Sequence, residues 1–112
     1  YARVIELFAK IYNFLKTKQE KKSLELLLWN TIEFSFIRER GKVKVFGTGL
    51  ISSQGELAHC LKHSTPKTSF SFDMACRTPK SDHGFHDQYF VLESLGQLET
   101  GLRKWLERIC RK

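Results

Sequence analysis

The sequence predicts an α+β fold that is mostly helical and contains a small antiparallel sheet. Apolar residues recur at helical spacing near both ends of the chain, and their period shortens to two after residue 33. One further segment near residue 90 is rich in aromatic and β-branched residues. The 112 residues, 41% of them hydrophobic, are enough for one core. We therefore expect a single domain over residues 1–112.

Two helices are predicted in the first third of the chain. The first covers about residues 1–16 on the basis of its apolar spacing. Its apolar positions are Val4, Ile5, Phe8, Ile11, Tyr12 and Leu15. The charged segment 16–22 is predicted to be a linker or an exposed turn, and Ser23 to be the N-cap of the second helix. Leu26 makes that helix apolar on more than one side, which indicates deep burial.

A hairpin and a capped helix are predicted next. Phe34, Phe36, Val43 and Val45 alternate with polar residues around a turn that contains Gly41. The glycines of the following segment 47–49 allow a sharp bend or a close approach of the backbone to another group. The segment 53–56 has capping-box spacing, which predicts a helix over residues 54–62.

The second half of the chain is predicted to hold loops, one clear strand and a long helix. Residues 63–69, with Pro66, and residues 79–84 are predicted loops. Phe70 and Phe72 belong either to a short strand or to a docked loop. Residues 88–93 are the clearest strand, and 94–97 is a second capping box. The helix that it opens has one apolar stripe, formed by Leu95, Leu98, Leu102, Trp105, Leu106 and Ile109.

The charge balance narrows the functional classes. The chain has 19 Lys and Arg against 12 Asp and Glu, a net charge of +7, with much of the excess near its ends. Nucleic-acid-binding proteins share such a balance. Acidic residues interrupt the basic runs here, and no aromatic residues alternate with them, so solvated helix faces are favoured. A non-enzymatic basic module that binds nucleic acid or an acidic protein is the alternative function.

Cysteine use and hydropathy indicate a cytoplasmic protein. Cys60, Cys76 and Cys110 are far apart and form no CxxC, which predicts three reduced thiols. No run of about 18 apolar residues predicts a membrane span, and no signal peptide is visible. Because the chain opens with Tyr1 instead of Met, we expect its natural start to lie upstream.

Two segments could carry chemistry. Glu33 follows an apolar helix face and precedes Phe34, so its carboxylate enters a region of low polarity. An ion pair with Arg or Lys is the favoured interpretation, and a metal ligand or a general base is the alternative. The segment 47–53 either cradles a ligand or only connects strand to helix, with Ser53 as a cap.

The four histidines all follow Glu33 in the sequence. His59 and His63, at i and i+4, could share a helix face and bind a metal, but surface His pairs are common, so this site is disfavoured. His83 and His86 lie in a predicted loop and are weaker candidates still.

Three motifs together are far more specific than any of them alone. They are Trp29-Asn30-Thr31-Ile32-Glu33-Phe34, the segment 45–56 with its Gly-Thr-Gly-Leu-Ile-Ser-Ser core, and Tyr89-Phe90-Val91-Leu92-Glu93-Ser94-Leu95. Their sequences and spacing resemble the aromatic amino acid hydroxylases, and the resemblance runs from about residue 24 to the C-terminus. It implies a partial catalytic domain, the C-terminal portion, most similar to the bacterial phenylalanine hydroxylases.

The resemblance implies an enzyme that hydroxylates an aromatic amino acid with O2, Fe(II) and tetrahydrobiopterin. In this family two His and one Glu hold the iron. By this match Glu33 is the catalytic Glu ligand, and Ser52 stands near the iron and supports a ligand His. Trp29 lines the substrate pocket, Gly49 and Gly47 let the loop pass close to the substrate, and Glu56 helps to hold the active-site framework.

Several family features are not found at the matching places. The two His ligands of the family come from an upstream HxxxxH element, and no His precedes Glu33 here. The pterin-stacking residues of the family are also upstream. Leu28 stands where many members have Tyr, and Ser35 replaces a Gly. We therefore expect the 112 residues alone to be inactive, with phenylalanine as the first candidate substrate and tyrosine or tryptophan open. A structural remnant with no activity of its own is a third possibility, and an exposed apolar face along residues 24–32, which is expected to promote self-association, would mark it.

Overall fold

The computed structural model describes residues 1–52, 54–62, 65–80 and 88–110. The helices are α1 (Ala2–Phe14), α2 (Lys18–Leu28), α3 (Thr48–Ser52), α4 (Gln54–Cys60), α5 (Phe72–Arg77) and α6 (Leu95–Cys110). The strands are β1 (Ser35–Glu39), β2 (Lys42–Val45), β3 (Lys67–Ser69) and β4 (Tyr89–Leu92). A π-helical turn, Trp29–Glu33, continues α2. The predicted α+β class, mostly helical with a small sheet, is confirmed.

The four strands form one sheet in the order β2-β1-β4-β3. The hairpin of β1 and β2 is antiparallel, as predicted, but β4 pairs in parallel with both β1 and β3. The predicted antiparallel sheet is thus a mixed one. Parallel neighbours need a long crossover, and α5 lies in the connection from β3 to β4.

The hairpin turn forms where the sequence placed it. Arg40 and Gly41 have φ values of 54° and 77°, so both adopt the left-handed conformation that a two-residue hairpin turn requires. A turn of this kind matches the right-handed twist of its two strands. Glycine supplies this conformation without cost at the second position, whereas Arg40 adopts it under the constraint of the paired strands.

Both faces of β4 are covered. Phe90 and Leu92 belong to the larger core cluster, which is built mainly by α1, α2, α5 and α6. Tyr89 and Val91 point to the opposite face and belong to a smaller cluster with Leu50 of α3 and other side chains. Side chains alternate between faces along a strand, so a strand buried on both sides reads as a continuous apolar run. This explains why it was the clearest strand in the sequence.

The second helix begins earlier than predicted. Its N-cap is Thr17, whose hydroxyl oxygen accepts a hydrogen bond from the Glu20 N–H at 3.1 Å, and the helix starts at Lys18. Ser23, the predicted cap, lies inside α2, so most of the predicted linker 16–22 is helical. The first turn of α2 consists of charged and polar residues and contains no apolar repeat. The apolar spacing therefore predicted only the second part of the helix.

This correction can be tested by two alanine variants. Thr17→Ala is expected to lower the free energy of unfolding by about 1 kcal/mol because it removes the cap. Ser23→Ala is expected to be neutral or slightly stabilising, because alanine is the better former of a helix interior. Urea denaturation of both variants measures the difference. A larger loss of unfolding free energy for Ser23→Ala than for Thr17→Ala would show that Ser23 is the N-cap, as the sequence predicted.

The predicted loop around residues 63–69 contains β3, and α5 follows it. The three side chains of β3 are exposed, so no apolar pattern marks the strand, which forms because it pairs with β4. Phe72 opens α5 under a Ser71 cap, and its ring contacts the Trp105 ring at a centroid distance of 6.0 Å. Neither interpretation offered for Phe72, strand or docked loop, was right. The cap Ser53, His63 and the loop residues 81–84 lie outside the described residues.

The apolar face along residues 24–32 is not exposed. Leu24, Leu27 and Ile32 are 4%, 0% and 4% exposed, because they pack in the larger core cluster. The expectation that this face is exposed was therefore wrong, and the deep burial predicted from Leu26, which is 7% exposed, is confirmed. Exposed apolar side chains of the N-terminal region lie instead on or next to α1: Tyr1, Ile5, Tyr12 and Phe14.

Two further expectations can be compared with the structure. Cys60, Cys76 and Cys110 are free thiols, as predicted. Within the described ranges, none of the helices has both the length and the apolar character that a membrane crossing needs.

Candidate functional site

A π-helical turn presents two of the predicted site residues. The Phe34 N–H donates to the Trp29 carbonyl at 3.1 Å, which closes a turn of i→i+5 type at the end of α2. Trp29 is the first residue of this turn and Glu33 the last, four positions apart and therefore close together on one side. Single π turns inserted at α-helices are frequent at functional sites.

Two buried hydroxyls stabilise the turn. The Thr31 hydroxyl donates to the Leu27 carbonyl at 2.7 Å, and the Ser35 hydroxyl donates to the Thr31 carbonyl. Both side chains are fully buried. Ser35 stands where the family motif has a glycine. Its hydroxyl donates a hydrogen bond to a carbonyl oxygen at the point where the helical register changes, and a glycine has no side chain to do so.

Glu33 is half-buried at the end of the turn. Within the described ranges its carboxylate takes part in neither an ion pair nor a hydrogen bond. The favoured interpretation from sequence, an ion pair with Arg or Lys, therefore finds no support there. A half-buried carboxylate retains its acceptor capacity, and a cation is what such a group binds best.

Trp29 forms an aromatic surface beside it. Its ring lies 4.5 Å from the Phe34 ring, centroid to centroid, at an interplanar angle of 46°. The ammonium nitrogen of Lys80 lies 4.3 Å from the Trp29 ring centroid, within the range of a cation–π interaction. The indole is half-buried, so it offers apolar area at the edge of the core.

The loop after β2 returns to the π turn. A Cβ at Gly47 would lie 2.2 Å from the Glu33 carbonyl oxygen, and one at Gly49 would lie 2.6 Å from the Phe34 ring. The Gly47 N–H donates to the Ser35 carbonyl at 3.0 Å. The two glycines are therefore required for close backbone approach, one of the two roles predicted for this segment.

Ser52 and the end of this loop lie at the surface. Ser52 is exposed at the last position of α3, and its hydroxyl donates to the Gly49 carbonyl at 3.4 Å. Trp29, Glu33, Gly49 and Ser52 thus belong to two contacting segments that the β1–β2 hairpin separates in the sequence. The hydroxyl is accessible to groups outside the chain.

Glu56 is deeply buried, whereas Trp29, Glu33 and Gly49 are half-buried and Ser52 is exposed. Glu56 is 3% exposed, and its carboxylate accepts a hydrogen bond from the hydroxyl of Tyr89, which is fully buried on β4. The His59 ring packs edge-on against Tyr89 at a centroid distance of 6.3 Å. Glu56 therefore fastens α4 to the sheet, as a framework residue does.

Tyr89→Phe tests this buried contact. The variant keeps the ring but removes a donor to a buried carboxylate, so the free energy of unfolding is expected to fall by about 1.5–3 kcal/mol. The matched control is Tyr12→Phe, because the Tyr12 side chain is 44% exposed, and it should change stability very little. Equal midpoints for both variants in urea denaturation would contradict a stabilising Tyr89–Glu56 contact.

Burial also affects the neighbouring thiol. Burial raises the pKa of Cys60, the nearby Lys67 ammonium opposes the rise, and the Glu56 carboxylate adds to it. A thiol that stays protonated is a poor nucleophile and a poor metal ligand. Cys60 is therefore a packing residue of the smaller core.

The described residues do not form a complete metal centre. Among them no group of three His, Cys, Asp or Glu side chains could hold a metal ion. His59 packs against Tyr89, while its proposed partner His63 and the pair His83 and His86 lie outside the described residues. Among the described residues, Glu33 thus has no second or third side chain beside it with which it could hold a metal ion.

Sequence reasoning missed three residues that shape the site. Asn30 is buried, and its amide donates to the carbonyls of Ala75 and Thr78 at 3.0 and 2.9 Å. Lys80 lies over Trp29, and Tyr89 bonds to Glu56. The polar Asn30 directly after Trp29, at the end of an apolar helix, was the available signal, because the contacts of Lys80 and Tyr89 join residues far apart in the chain.

The comparisons with known proteins agree with this geometry. The model of the family "Biopterin-dependent aromatic amino acid hydroxylase" matches residues 11–112. Human tyrosine 3-monooxygenase is 38% identical over 93 residues, 83% of this chain and 18% of that protein. The phenylalanine-4-hydroxylase of Vibrio cholerae is 34% identical over 95 residues, 81% of this chain and 33% of that protein.

Two solved structures of a bacterial enzyme share this fold. Chromobacterium violaceum phenylalanine hydroxylase with bound oxidised Fe(III) superposes with a TM-score of 0.86 at 26% identity, over 96% of this chain and 40% of that one. A second structure of that enzyme, with iron(III) and oxidised 7,8-dihydrobiopterin, gives a TM-score of 0.82 at 25% identity, over 98% and 41%. The chain thus spans less than half of each of these relatives.

Proposed function

Because this chain belongs to the biopterin-dependent aromatic amino acid hydroxylase family, we propose that it forms part of a monooxygenase acting on the ring of an aromatic amino acid. In this proposal the chain supplies the Glu ligand of a non-haem Fe(II) and one wall of the substrate pocket. The 112 residues are inactive alone. O2 and tetrahydrobiopterin are the co-substrates.

The observation that carries the proposal is the position of Glu33. Its half-buried carboxylate closes a π turn that begins with Trp29, and it has no cationic partner within the described ranges. Carboxylate oxygen and imidazole together are the donor set that Fe(II) oxygenases use. One such oxygen is present here, so the residues fit one ligand position. The remaining positions require two His from outside the described residues.

The other site residues have distinct roles in this proposal. The indole of Trp29 would contact the aromatic ring of the substrate, since its area is apolar and half-buried. Because Gly49 has no side chain, the backbone of the loop can lie close to the Phe34 ring, which leaves space beside the π turn. The exposed Ser52 hydroxyl would bond to a ligand His and orient it. Glu56 would hold α4 and the loop in register with the sheet.

Iron and pterin, when bound, supply the oxidising chemistry. The residues of this chain would bind the substrate, orient a ligand His and exclude water from the pocket. Because three free thiols suit a reducing compartment, we propose a cytoplasmic location.

Phenylalanine is the proposed substrate, because solved structures that superpose on this chain with TM-scores of 0.86 and 0.82 are phenylalanine hydroxylases. Tyrosine is the second candidate, favoured by the 38% identity to human tyrosine 3-monooxygenase. Product analysis distinguishes the two substrates, since hydroxylation of phenylalanine gives tyrosine and hydroxylation of tyrosine gives a catechol.

The test is the intact mass of the natively expressed protein, measured together with its iron content. We expect a mass well above 13.1 kDa and iron near one atom per chain. We also expect the 112 residues alone to bind no Fe(II) tightly, because a single carboxylate is a weak site. A native mass of 13.1 kDa without iron would refute the proposal.

A further inference from the structure

The hydroxyl of Ser35 closes a short segment of the chain around Glu33. It donates a hydrogen bond to the carbonyl of Thr31, four positions earlier, and both side chains are fully buried. Glu33 is the middle residue of the segment 31–35 that this bond closes. The bond therefore constrains the main chain on both sides of the proposed metal ligand.

The same hydroxyl acts on the register of the chain at this point. The Thr31 carbonyl is the acceptor that an α-helix would give to the Ser35 N–H, because α-helical bonds join residues i and i−4. In this chain the Ser35 hydroxyl donates to that carbonyl, while the Phe34 N–H donates to Trp29, five positions back, at 3.1 Å. A serine hydroxyl that bonds to a nearby carbonyl competes with the helical backbone. Ser35 can therefore leave the helix and begin β1.

The loop after β2 holds the turn from the other side. The Ser35 carbonyl accepts hydrogen bonds from the N–H groups of Phe46 and Gly47 at 2.9 and 3.0 Å. The Thr48 hydroxyl donates to the carbonyl of Ile32, which directly precedes Glu33, at 3.4 Å. Within the described ranges the Glu33 carboxylate itself takes part in neither an ion pair nor a hydrogen bond. Among these residues it is therefore the backbone that sets the direction in which the carboxylate extends.

A change of register would move the carboxylate. Single π turns are rare and depend on the structure around them. A return to α-helical spacing takes one residue out of the turn, and one residue corresponds to a rotation of about 100° about the helix axis. A rotation of that order would change the angle between the Trp29 and Glu33 side chains. It would also change the side from which the carboxylate reaches a metal ion.

We infer that Ser35 is a positioning residue for the metal ligand: its hydroxyl, through the Thr31 carbonyl, fixes the direction in which Glu33 presents its carboxylate. The inference rests on the proposed function, since it takes Glu33 as the Glu ligand of the Fe(II). It concerns this chain in particular, because the family motif has a glycine at this position. A glycine leaves the Thr31 carbonyl to water or to another donor.

Two substitutions at Ser35 in the whole enzyme test the inference. Ser35→Ala removes the hydroxyl and favours a helix, whereas Ser35→Thr keeps the hydroxyl on a side chain that suits a strand. Ser35→Ala is expected to raise the Fe(II) dissociation constant about tenfold, the lower end of the effect of losing an outer partner of a metal ligand. It should also alter the visible absorption spectrum of bound Co(II), which depends on the arrangement of the ligands. Ser35→Thr should restore both.

The metal-free whole enzyme provides a measurement of the turn itself. The Phe34 N–H closes the π turn, so its exchange with deuterium shows whether the turn is retained. This exchange is expected to be about fivefold faster in Ser35→Ala, the change that the loss of one ordinary hydrogen bond predicts. An unchanged rate would show that the turn does not depend on the hydroxyl, and would overturn the inference.

Thr65→Val is the matched control. Thr65 is also buried, at 6% exposed, and its hydroxyl donates to the His59 carbonyl at 3.0 Å in a different part of the chain. The variant removes one buried hydroxyl and nearly keeps the size of the side chain. It should leave the Fe(II) affinity, the Co(II) spectrum and the exchange of the Phe34 N–H unchanged. Circular dichroism of each variant confirms that the fold is retained.

The failures of the inference and of the proposed function are distinguishable. If Glu33→Gln lowers the Fe(II) affinity but Ser35→Ala changes neither the affinity nor the Co(II) spectrum, Ser35 does not position the ligand and the proposed function stands. Equal losses of affinity in Ser35→Ala and Thr65→Val would reduce the effect to stability and also overturn the inference. If Glu33→Gln retains the full Fe(II) affinity, the ligand of the proposed function fails, and the role of Ser35 fails with it.

Discussion

Gly47→Ala is expected to lower the free energy of unfolding by about 3 kcal/mol or more, at the upper end of overpacking effects. An added Cβ would lie 2.2 Å from the Glu33 carbonyl oxygen, 2.5 Å from its carbonyl carbon and 2.7 Å from the Phe34 nitrogen. All three are backbone atoms, so no side-chain rotation relieves the clash. The loop must move away from the π turn.

Urea denaturation measures this effect, and Gly96→Ala is its matched control. A Cβ at Gly96 would meet the Ser94 hydroxyl at 3.5 Å, an ordinary contact, in the first turn of α6. The same substitution should therefore stabilise the chain there by about 0.5–1 kcal/mol, since alanine favours a helix over glycine. Opposite signs for the two variants are expected. A Gly47→Ala chain as stable as the original would contradict the close approach of the loop to Glu33.

Glu33→Gln in the whole enzyme proposed above is expected to reduce both iron affinity and hydroxylation by at least about 100-fold, more than the loss of an outer-shell partner. The amide keeps the shape of the side chain but removes the negative charge that favours Fe(II). Glu33→Asp keeps the charge on a shorter stem and should retain a measurable part of the iron. Iron content per chain and initial rates of ring hydroxylation are the two readouts.

Glu25→Gln provides the control for this series. Glu25 is exposed on α2, the helix that leads into the π turn, and loses the same charge without touching the site. Its iron content and rate should equal those of the original protein. Full iron occupancy in Glu33→Gln would exclude Glu33 as a ligand, and unchanged thermal stability of the variants would show that the fold is intact.

Elements with a strong local pattern could be read from the sequence. The period of α1 and of α6, the turn at Gly41 and the apolar run of β4 all depend on residues within one or two turns of each other. The roles of the motif residues Trp29, Glu33 and Gly49 were instead implied by the resemblance of their motifs to the aromatic amino acid hydroxylases. Their spacing along the chain is short enough for a recognisable signature.

The elements that were missed have weak local patterns. β3 has three exposed residues and exists because β4 offers a partner, and α5 has only six residues. The first turn of α2 is charged, so its cap at Thr17 was overlooked in favour of Ser23. Short elements gain most of their stability from tertiary contacts, which a local period does not report.

Local chemistry along the chain determined α1, α6, the hairpin and the motif that carries the carboxylate of Glu33. Only the folded chain decided the parallel pairings of β4, the formation of α5, and the partners of the site residues. Tyr89 reaches Glu56 across 33 positions, and Asn30 reaches Thr78 across 48. Such contacts pair single residues of no distinctive local pattern, because their energy comes from burial and hydrogen bonding between distant segments.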